Sequence, residues 1–277
     1  MVRTQKPQGE VTRGTTAPNR LRRVDRWIAA TQTGALRSAG PAGEPPLAVD
    51  LGYGASPVTT FELYTRLRAV SPRLEVVGIE IEPERVAAGT AFLAAMRDDP
   101  PEGLSFRRGG FELPVARPPA LVRAFNVLRQ YGEAAAWDAW DGLRSRLAPG
   151  GVLVEGTCDE IGRRAVWAAL TPDGPQTITF AAHLPTLDRP STLAERLPKT
   201  LIHRNVPGEP VHEFLVAFDR CWATAAPHSA FGPRARWTEA VALLAASHPV
   251  LTRPPYGGRA RWRRGEVTLP WRSVAPP

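Results

Sequence analysis

The sequence predicts an α/β protein built on a doubly wound, mostly parallel sheet. An apolar run at residues 47–51 leads into a glycine turn and then a helix start. A second apolar run, 74–80, ends in the acid Glu80, and a Pro-Gly-Gly turn at 149–151 precedes another at 152–156. Short apolar runs that alternate with helical stripes are typical of βαβ units around a parallel sheet.

The glycine turn is the most informative stretch. Residues 47–51 are short, apolar and bounded by Pro and Gly, which indicates a buried strand. Gly52 and Gly54 permit a tight turn whose backbone can approach a ligand. Ser56 suits a helix N-cap and Pro57 the first helical position. A strand, a glycine turn and a helix N-terminus in this order favour a nucleotide-like ligand.

The second strand supplies an acid where a ribose would lie. In a parallel βαβ unit, a carboxylate at the end of the second strand can accept hydrogen bonds from both ribose hydroxyls, and Glu80 occupies that position. A nicotinamide-type G-x-G-x-x-G would need glycine where the chain has Pro57. The pattern D-x-G-x-G-x-S from residue 50, with Val-Val-Gly-Ile-Glu downstream, resembles the first two motifs of the class I S-adenosylmethionine-dependent methyltransferases.

This resemblance covers about residues 45–185 and implies a seven-stranded sheet closed by an antiparallel hairpin. It implies that S-adenosyl-L-methionine is bound by Asp50, Gly52, Tyr53, Gly54, Glu80, Ile81, Phe111 and Asn126. Asp50, Gly52 and Gly54 would cradle the methionine portion and Glu80 the ribose. Phe111 would stack on the adenine or be a buried loop aromatic. The expected reaction is displacement at the sulfonium methyl, for which the protein supplies mainly position.

The acceptor side is less defined. After a fourth strand at about 120–127, Asn126, Arg129, Gln130 and Tyr131 offer an amide, a guanidinium, an amide and a phenol. They would hold a substrate or serve as ordinary loop groups. The Asp/Asn-Pro-Pro-Tyr motif of enzymes that methylate exocyclic or amide nitrogens is missing. Gly110 stands where the family often places an acid for the adenine amino group. No catalytic base is identified.

The pattern divides the chain into three parts. Residues 1–40 form a basic segment with a helix from about Arg20 to Thr33, which packs on the core or covers the cofactor mouth. Residues 41–185 form the cofactor-binding core, closed by a hairpin around Pro-Asp-Gly at 172–174. Residues 186–277 form a helical extension followed by a Pro/Arg-rich tail from Arg253, which we expect to be loose.

The charge lies at the two ends. The chain has 277 residues and a formal net charge of +8. Residues 1–40 hold eight basic and two acidic side chains, and residues 253–277 hold six basic and one acidic, which leaves 21 basic and 24 acidic residues between these two segments. Such ends can bind RNA phosphates. Alternatively they are solvated tails of an Arg-rich proteome, since only Lys6 and Lys199 are lysine.

Composition excludes several classes. Two cysteines give no disulfide framework and no metal spacing, and the five histidines are scattered, so no metal is expected. No apolar run approaches a membrane span, and the N-terminus lacks the apolar core of a signal peptide, which makes a cytoplasmic protein the expectation. Three hypotheses remain open: an RNA methyltransferase, a small-molecule methyltransferase with residues 184–250 as its lid, and a noncatalytic binding protein with this fold.

Overall fold

The structure is a computed structural model that describes residues 7–11, 16–38, 40, 43–96 and 100–277. Its centre is one sheet of eight strands. The strands are β1 (Leu47–Leu51), β2 (Glu75–Glu80), β3 (Leu104–Arg108), β4 (Leu121–Phe125), β5 (Val152–Cys158), β6 (Arg164–Thr171), β7 (Gly174–Ala182) and β8 (Glu266–Pro270).

Helices surround this sheet. Those in the described residues are α1 (Arg22–Thr31), α2 (Thr33–Arg37), α3 (Val58–Arg68), α4 (Pro83–Ala94), α5 (Glu133–Arg144), α6 (Lys199–Ile202), α7 (Pro210–Thr224), α8 (Pro233–Ala245) and α9 (Arg259–Trp262). Short 3-10 helices lie at Leu128–Gln130, Leu184–Thr186, Pro190–Arg196, Ala226–Phe231 and Trp271–Ser273. Helices α4, α7 and α8 each begin on a proline, whose missing N–H costs nothing in the first turn.

The strand order is β3-β2-β1-β4-β5-β6-β7-β8. Strands β1 to β5 are parallel, whereas β6, β7 and β8 are joined antiparallel to the preceding strand. The predicted doubly wound sheet and the hairpin β6–β7 are therefore confirmed. The carboxyl ends of β1 to β5 and of β7 lie at one edge of the sheet, together with the start of β8. We call this the carboxyl edge.

Two expectations about the C-terminal part are wrong. The sheet has eight strands rather than seven, because β8 hydrogen-bonds along β7. The tail from Arg253 is not loose, since it supplies α9 and β8 and buries Trp262 and Val267 in the core. The sequence hid this because β8 is short and lies among Pro and Arg residues. Its apolar side chains fit the sheet only once β7 is present to pair with it.

The core lies on both faces of the sheet. One face is covered by α1 and α3, with Trp27, Leu63 and Trp167 fully buried. The other is covered by α5, α7 and α8, with Trp140, Phe214 and Trp237 buried. Residues 186–277 therefore share one core with residues 41–185, and the buried apolar side chains of α7 and α8 face it. Of the predicted basic segment 1–40, residues 1–6, 12–15 and 39 lie outside the described residues.

A buried ion network ties α1 to the sheet. Arg123, in the middle of β4 and fully buried, donates to Asp50 at 2.6 and 2.9 Å and also to Asp25 on α1. Arg66 on α3 donates to the other oxygen of Asp25 at 2.8 Å. Burial opposes the charge on Arg123, but the two carboxylates outweigh it and raise its pKa. Since a buried charge is tolerated only when it is paired, α1 must dock here for β4 to be stable.

A second buried acid, Glu155 on β5, has no cationic partner among the described residues. It accepts a hydrogen bond from Trp140 Nε1 at 3.1 Å. Burial raises the pKa of Glu155 to about 8, with Trp140 opposing the shift. The carboxyl group is therefore mainly protonated at neutral pH in the folded protein.

We predict that Glu155→Gln stabilises the protein at alkaline pH. The folded pKa of about 8 lies above the ordinary value of 4.5. The contribution of Glu155 to the free energy of unfolding is therefore full at acid pH and is lost as the pH rises towards about 8. Between about pH 5 and 8 the wild type should lose stability relative to the variant, by on the order of several kcal/mol in urea unfolding. Glu160→Gln, an exposed acid just beyond the same strand, is the control. Parallel stability curves for wild type and Glu155→Gln would contradict the prediction.

Candidate functional site

The candidate site lies at the carboxyl edge, where the order of the sheet reverses. Chain order runs outward from β1 to β2 and β3 on one side and from β4 to β5 on the other. In open α/β sheets, ligands bind in the crevice outside the carboxyl ends of the strands at this switch point. The glycine turn after β1, Glu80 at the end of β2 and Asn126 after β4 all lie there.

The glycine turn has the backbone that only glycine adopts freely. Gly52 and Gly54 have φ of 66° and 83°. The N–H of Gly52 donates to the carbonyl of Ile79 at 2.8 Å, which anchors the turn to β2. A Cβ on Gly54 would lie 2.7 Å from Thr16 Oγ1, so the space above this glycine is filled by the chain's own N-terminal segment.

Glu80 is buried against this turn. Its carboxylate accepts hydrogen bonds from the N–H groups of Gly54 and Ile81, both at 2.9 Å. Two further donors are longer, the N–H of Glu82 at 3.4 Å and Arg85 Nη1 at 3.5 Å. The acid expected at the second strand thus joins the glycine turn to the first turn of α4.

Two predicted site residues point elsewhere. The carboxylate of Asp50 is taken by Arg123 and by Thr60 Oγ1 at 2.7 Å, so it belongs to the buried network. The Tyr53 ring packs edge-on against Phe106 with its hydroxyl donating to the Arg85 carbonyl. Burial raises the pKa of Tyr53. Only the backbone of Tyr53 faces the site, where its carbonyl accepts a hydrogen bond from the Thr16 hydroxyl.

The segment Pro7–Val11 crosses the site. A Cβ on Gly9 would lie 3.1 Å from Ile81 Cδ1, 3.1 Å from Tyr131 Oη and 3.5 Å from the Phe111 ring. The Phe111 and Tyr131 rings are 5.5 Å apart, centroid to centroid. Gly9 is therefore wedged between three side chains that the sequence assigned to ligand binding, and any ligand that uses them must displace this segment.

Glu112 is a site residue that sequence reasoning missed. Its Oε2 accepts a hydrogen bond from the Gln8 N–H at 2.7 Å, while the Phe111 N–H donates to the Gln8 carbonyl at 2.9 Å. Its Oε1 accepts from the Gly110 N–H at 2.9 Å. The acid expected at the position of Gly110 is supplied two residues later. The sequence Gly-Gly-Phe-Glu held this signal, because a glycine-rich turn allows a following acid to fold back.

Asn126 has a left-handed backbone, with φ of 61°, directly after β4. Its N–H donates to the Gly156 carbonyl at 2.8 Å, and its side-chain oxygen accepts from the Cys158 N–H at 3.0 Å. The side-chain amide also donates to Cys158 Sγ at 3.3 Å. Such a backbone persists only where its surroundings hold it, and here the end of β5 does so.

The three predicted substrate residues diverge. Gln130 donates to the Glu10 carbonyl at 3.1 Å, and Tyr131 accepts from the Glu10 N–H, so both hold the N-terminal segment. Arg129 is exposed and donates to the Glu195 carbonyl at 3.2 Å. The structure therefore brings Gln130 and Tyr131 to the site and leaves Arg129 at its margin.

The described residues show neither a metal-binding cluster nor a membrane-spanning helix. They contain no group of three or more His, Cys, Asp or Glu arranged to hold a metal ion. In that same part of the chain, no helix is long and apolar enough to cross a membrane.

No protein-family model and no curated protein matches the sequence. Similar solved structures include magnesium protoporphyrin IX methyltransferase from Synechocystis with bound S-adenosylhomocysteine (TM-score 0.38, 16% identity, 50% of this chain and 55% of that one). An rRNA methylase from Streptococcus thermophilus is also similar (TM-score 0.34, 15% identity, 55% and 75%). A third is a putative sarcosine dimethylglycine methyltransferase from Galdieria sulphuraria (TM-score 0.37, 14% identity, 49% and 46%).

All three of these solved structures are named as methyltransferases or methylases. The chain spans 46%, 30% and 55% of the first three solved structures that resemble it, less than two thirds of each. A match of this extent assigns no activity to the chain.

We predict that Asn126→Ala destabilises the protein by about 2–3 kcal/mol. Alanine would lose both side-chain hydrogen bonds to Cys158. It would also keep a Cβ in the left-handed region without the local hydrogen bonds that let asparagine adopt this backbone, which costs roughly 1–2 kcal/mol. Asn126→Gly loses the same hydrogen bonds without that backbone cost and should be destabilised by only about 1 kcal/mol. Urea unfolding of both variants measures the difference. Equal losses would show that the backbone at this position is not strained.

Proposed function

We propose that this protein binds S-adenosyl-L-methionine at the carboxyl edge and transfers its methyl group to an acceptor. The observation that carries the proposal is the buried carboxylate of Glu80 at the end of β2, bonded to the N–H of Gly54 in a left-handed glycine turn. A carboxylate in this position suits the hydroxyls of a ribose. Its two longer contacts, from Glu82 and Arg85, are the ones that ribose hydroxyls would replace.

The contacts of Gln8 support an adenine beside that ribose. The Gln8 peptide groups offer one donor and one acceptor, which meet Glu112 Oε2 and the Phe111 N–H. The Watson–Crick edge of adenine offers the same pair, an amino donor and a ring-nitrogen acceptor. The ring would lie between Ile81 and Phe111, where Gly9 now sits. The residues present therefore fit the cofactor once Pro7–Val11 has moved.

The bound cofactor would supply an electrophilic sulfonium methyl, and the chain's part is to position it. The glycine turn would hold the methionine portion at the N-terminus of α3, Glu80 the ribose, and Glu112 with Phe111 the adenine. Asn126, held rigidly between β4 and β5, would face the transferred methyl group. In-line displacement needs orientation more than acid or base groups.

The first test is ligand stabilisation. S-adenosylhomocysteine should raise the melting temperature of the wild type, because a ligand that binds only the folded state stabilises it. Glu80→Ala should remove most of that rise, since two lost hydrogen bonds to a charged acceptor cost about 2–4 kcal/mol. Each variant is compared with its own ligand-free melting temperature, because Glu80 also pairs with the Gly54 N–H.

Glu84→Ala is the matched control, an exposed acid in the first turn of α4. It should leave the ligand-induced rise unchanged. The absence of stabilisation of the wild type by S-adenosylhomocysteine or S-adenosylmethionine at millimolar concentration would overturn the proposed cofactor. Binding without methyl transfer from labelled donor to cell RNA or extract would instead favour the noncatalytic alternative.

We further predict that removing residues 1–16 strengthens binding of S-adenosylhomocysteine. The deletion takes away Gln8, Gly9 and Thr16, which occupy the adenine side and the space above Gly54. When only a fraction of the protein molecules is open, the apparent affinity for the ligand is the affinity of the open form multiplied by that fraction. The gain should be on the order of tenfold, since the segment is held by a few hydrogen bonds of modest strength.

Titration calorimetry of the truncated and full-length proteins measures this gain. Helix α1 begins at Arg22 and its buried contacts survive the deletion, so the ligand-free melting temperature should change little. Weaker binding after truncation would show that the segment closes over the cofactor rather than occupying its place.

A further inference from the structure

A cavity lined by arginines lies beside the candidate site. This cleft has a volume of about 810 Å³ and is bounded by the start of α1, the β5–β6 turn, the end of β7, the start of α8 and the residues before β8. Six of its arginines are exposed: Arg22, Arg26, Arg163, Arg234, Arg263 and Arg264. We call it the arginine cleft.

In the described part of the chain, the six exposed guanidinium groups lack ion-pair partners. Nine other arginines form ion pairs. The acid among the described lining residues is Glu266, which is buried and already paired with Arg261 at 3.2 Å. Arg23, also in the lining, keeps a buried Nε without a hydrogen-bond partner in the described structure. Guanidinium groups gathered around one cavity create a positive potential there, which attracts an anionic ligand with several charges.

The tertiary structure brings both basic ends of the chain to this place. Arg22 and Arg26 come from the N-terminal segment, and Arg263 and Arg264 from the C-terminal tail. The two segments touch, because Arg23 Nη1 donates to the carbonyl of Arg264. An excess of arginine that reflected composition alone would be spread over the surface rather than gathered into one concave wall.

The arginine cleft and the candidate site are neighbours along the carboxyl edge. The Arg20 side chain, just before α1, donates a hydrogen bond to the Asp159 carbonyl at 3.0 Å. Asp159 follows Cys158, whose N–H donates to the side-chain oxygen of Asn126 in the candidate site. Neighbouring strands are about 4.8 Å apart, so the end of β7 lies about 15 Å from the end of β4. A strand of a few linked nucleotides spans this distance at about 3.4 Å each.

Apolar side chains stand at the rim among the charges. Phe231 is 81% exposed and Ile161 is 58% exposed, two of the most exposed large apolar residues in the described chain. A basic groove with an exposed aromatic is the arrangement that binds single strands, because phosphates meet the cations and a base stacks on the ring. A flat lipid surface would reach Phe231 but not the cations inside a concave cleft.

We propose that the arginine cleft binds a single-stranded nucleic acid, with phosphates on the arginines and a base on Phe231. It would thereby present a nucleotide to the neighbouring site as the methyl acceptor. The acceptor role rests on the proposed methyl transfer, whereas the binding itself does not. RNA and DNA share the phosphodiester and base chemistry that the cleft would recognise.

The test uses the full chain without cofactor and a fluorescent oligonucleotide of mixed sequence, as RNA and as DNA, over a range of salt. The triple variant Arg163→Glu, Arg234→Glu, Arg263→Glu should weaken binding about tenfold or more at low salt. It should also reduce the slope of log affinity against log salt by about 2, since each phosphate contact on a single strand contributes about 0.7.

A second triple variant is matched in charge: Arg73→Glu, Arg146→Glu, Arg272→Glu. These three arginines are equally exposed but lie at the opposite edge of the sheet, before β2, before β5 and after β8. The net charge changes by the same amount, so long-range attraction is equally reduced. Binding should stay within about threefold of the wild type, because no phosphate contact is lost.

Phe231→Leu separates stacking from charge. It keeps an apolar rim but removes the aromatic face, and should weaken single-strand binding about tenfold while leaving the salt slope unchanged. Duplex of the same sequence should lose nothing, because its bases are not free to stack on the ring.

The proposal is overturned if the wild type binds neither single strand at low salt, or if both triple variants lose the same amount of oligonucleotide affinity. It is also overturned if Phe231→Leu leaves single-strand affinity unchanged, or if the cleft substitutions weaken binding to anionic vesicles more than binding to nucleic acid. Binding of S-adenosylhomocysteine is measured on the same samples. Cofactor binding without nucleic-acid binding would contradict only the proposal that the cleft binds nucleic acid. Nucleic-acid binding without cofactor binding would contradict only the proposed methyl transfer.

Discussion

The ion pairs of Arg123 with Asp25 and Asp50 are the constraint on which the carboxyl edge depends. Arg123 is fully buried in the central strand β4, and a guanidinium there is tolerated only when carboxylates meet it. Asp50 comes from β1, the neighbouring strand, but Asp25 comes from α1, outside the sheet. Burial raises the pKa of Asp25 to about 6 while Arg123 and Arg66 oppose the shift, so the network is ionised at neutral pH.

Because α1 is held by this network, its basic start has a fixed place. The carbonyl of Arg20 packs against Gly162 in the β5–β6 turn, where a Cβ would approach it to 2.0 Å. This contact forms part of one wall of the arginine cleft. The Arg20 side chain also bonds to Asp159, the residue next to Cys158. The same docking brings the residues before α1 over the glycine turn, where Thr16 bonds to the Tyr53 carbonyl. The ion network around Arg123 in β4 thus positions α1 relative to the candidate site, the segment that crosses this site and the neighbouring cleft.

The elements with strong local patterns were predictable. Strands β1, β2, β4 and β5 and the hairpin β6–β7 are mainly apolar runs, and α7 and α8 carry regular apolar stripes, so local preference and burial agree. Strand β8 was missed because a five-residue run among Pro and Arg has no pattern of its own. In the site, Gly52, Gly54 and Glu80 were found by spacing along one βαβ unit. Glu112 was missed because its role depends on how a loop folds back.

The sequence by itself determined the class of sheet, the glycine turn and the acid that faces it, because these lie within about thirty consecutive residues and obey local rules of turn and strand geometry. Only the tertiary structure decided that Asp50 serves the buried network rather than the turn, since its partner Arg123 is distant in the chain. It also decided that the two basic ends meet in one cleft. The distance in space between charges that are far apart in sequence cannot be read from the sequence. It is set by the pairing of β8 with β7 and by the docking of α1 on the sheet.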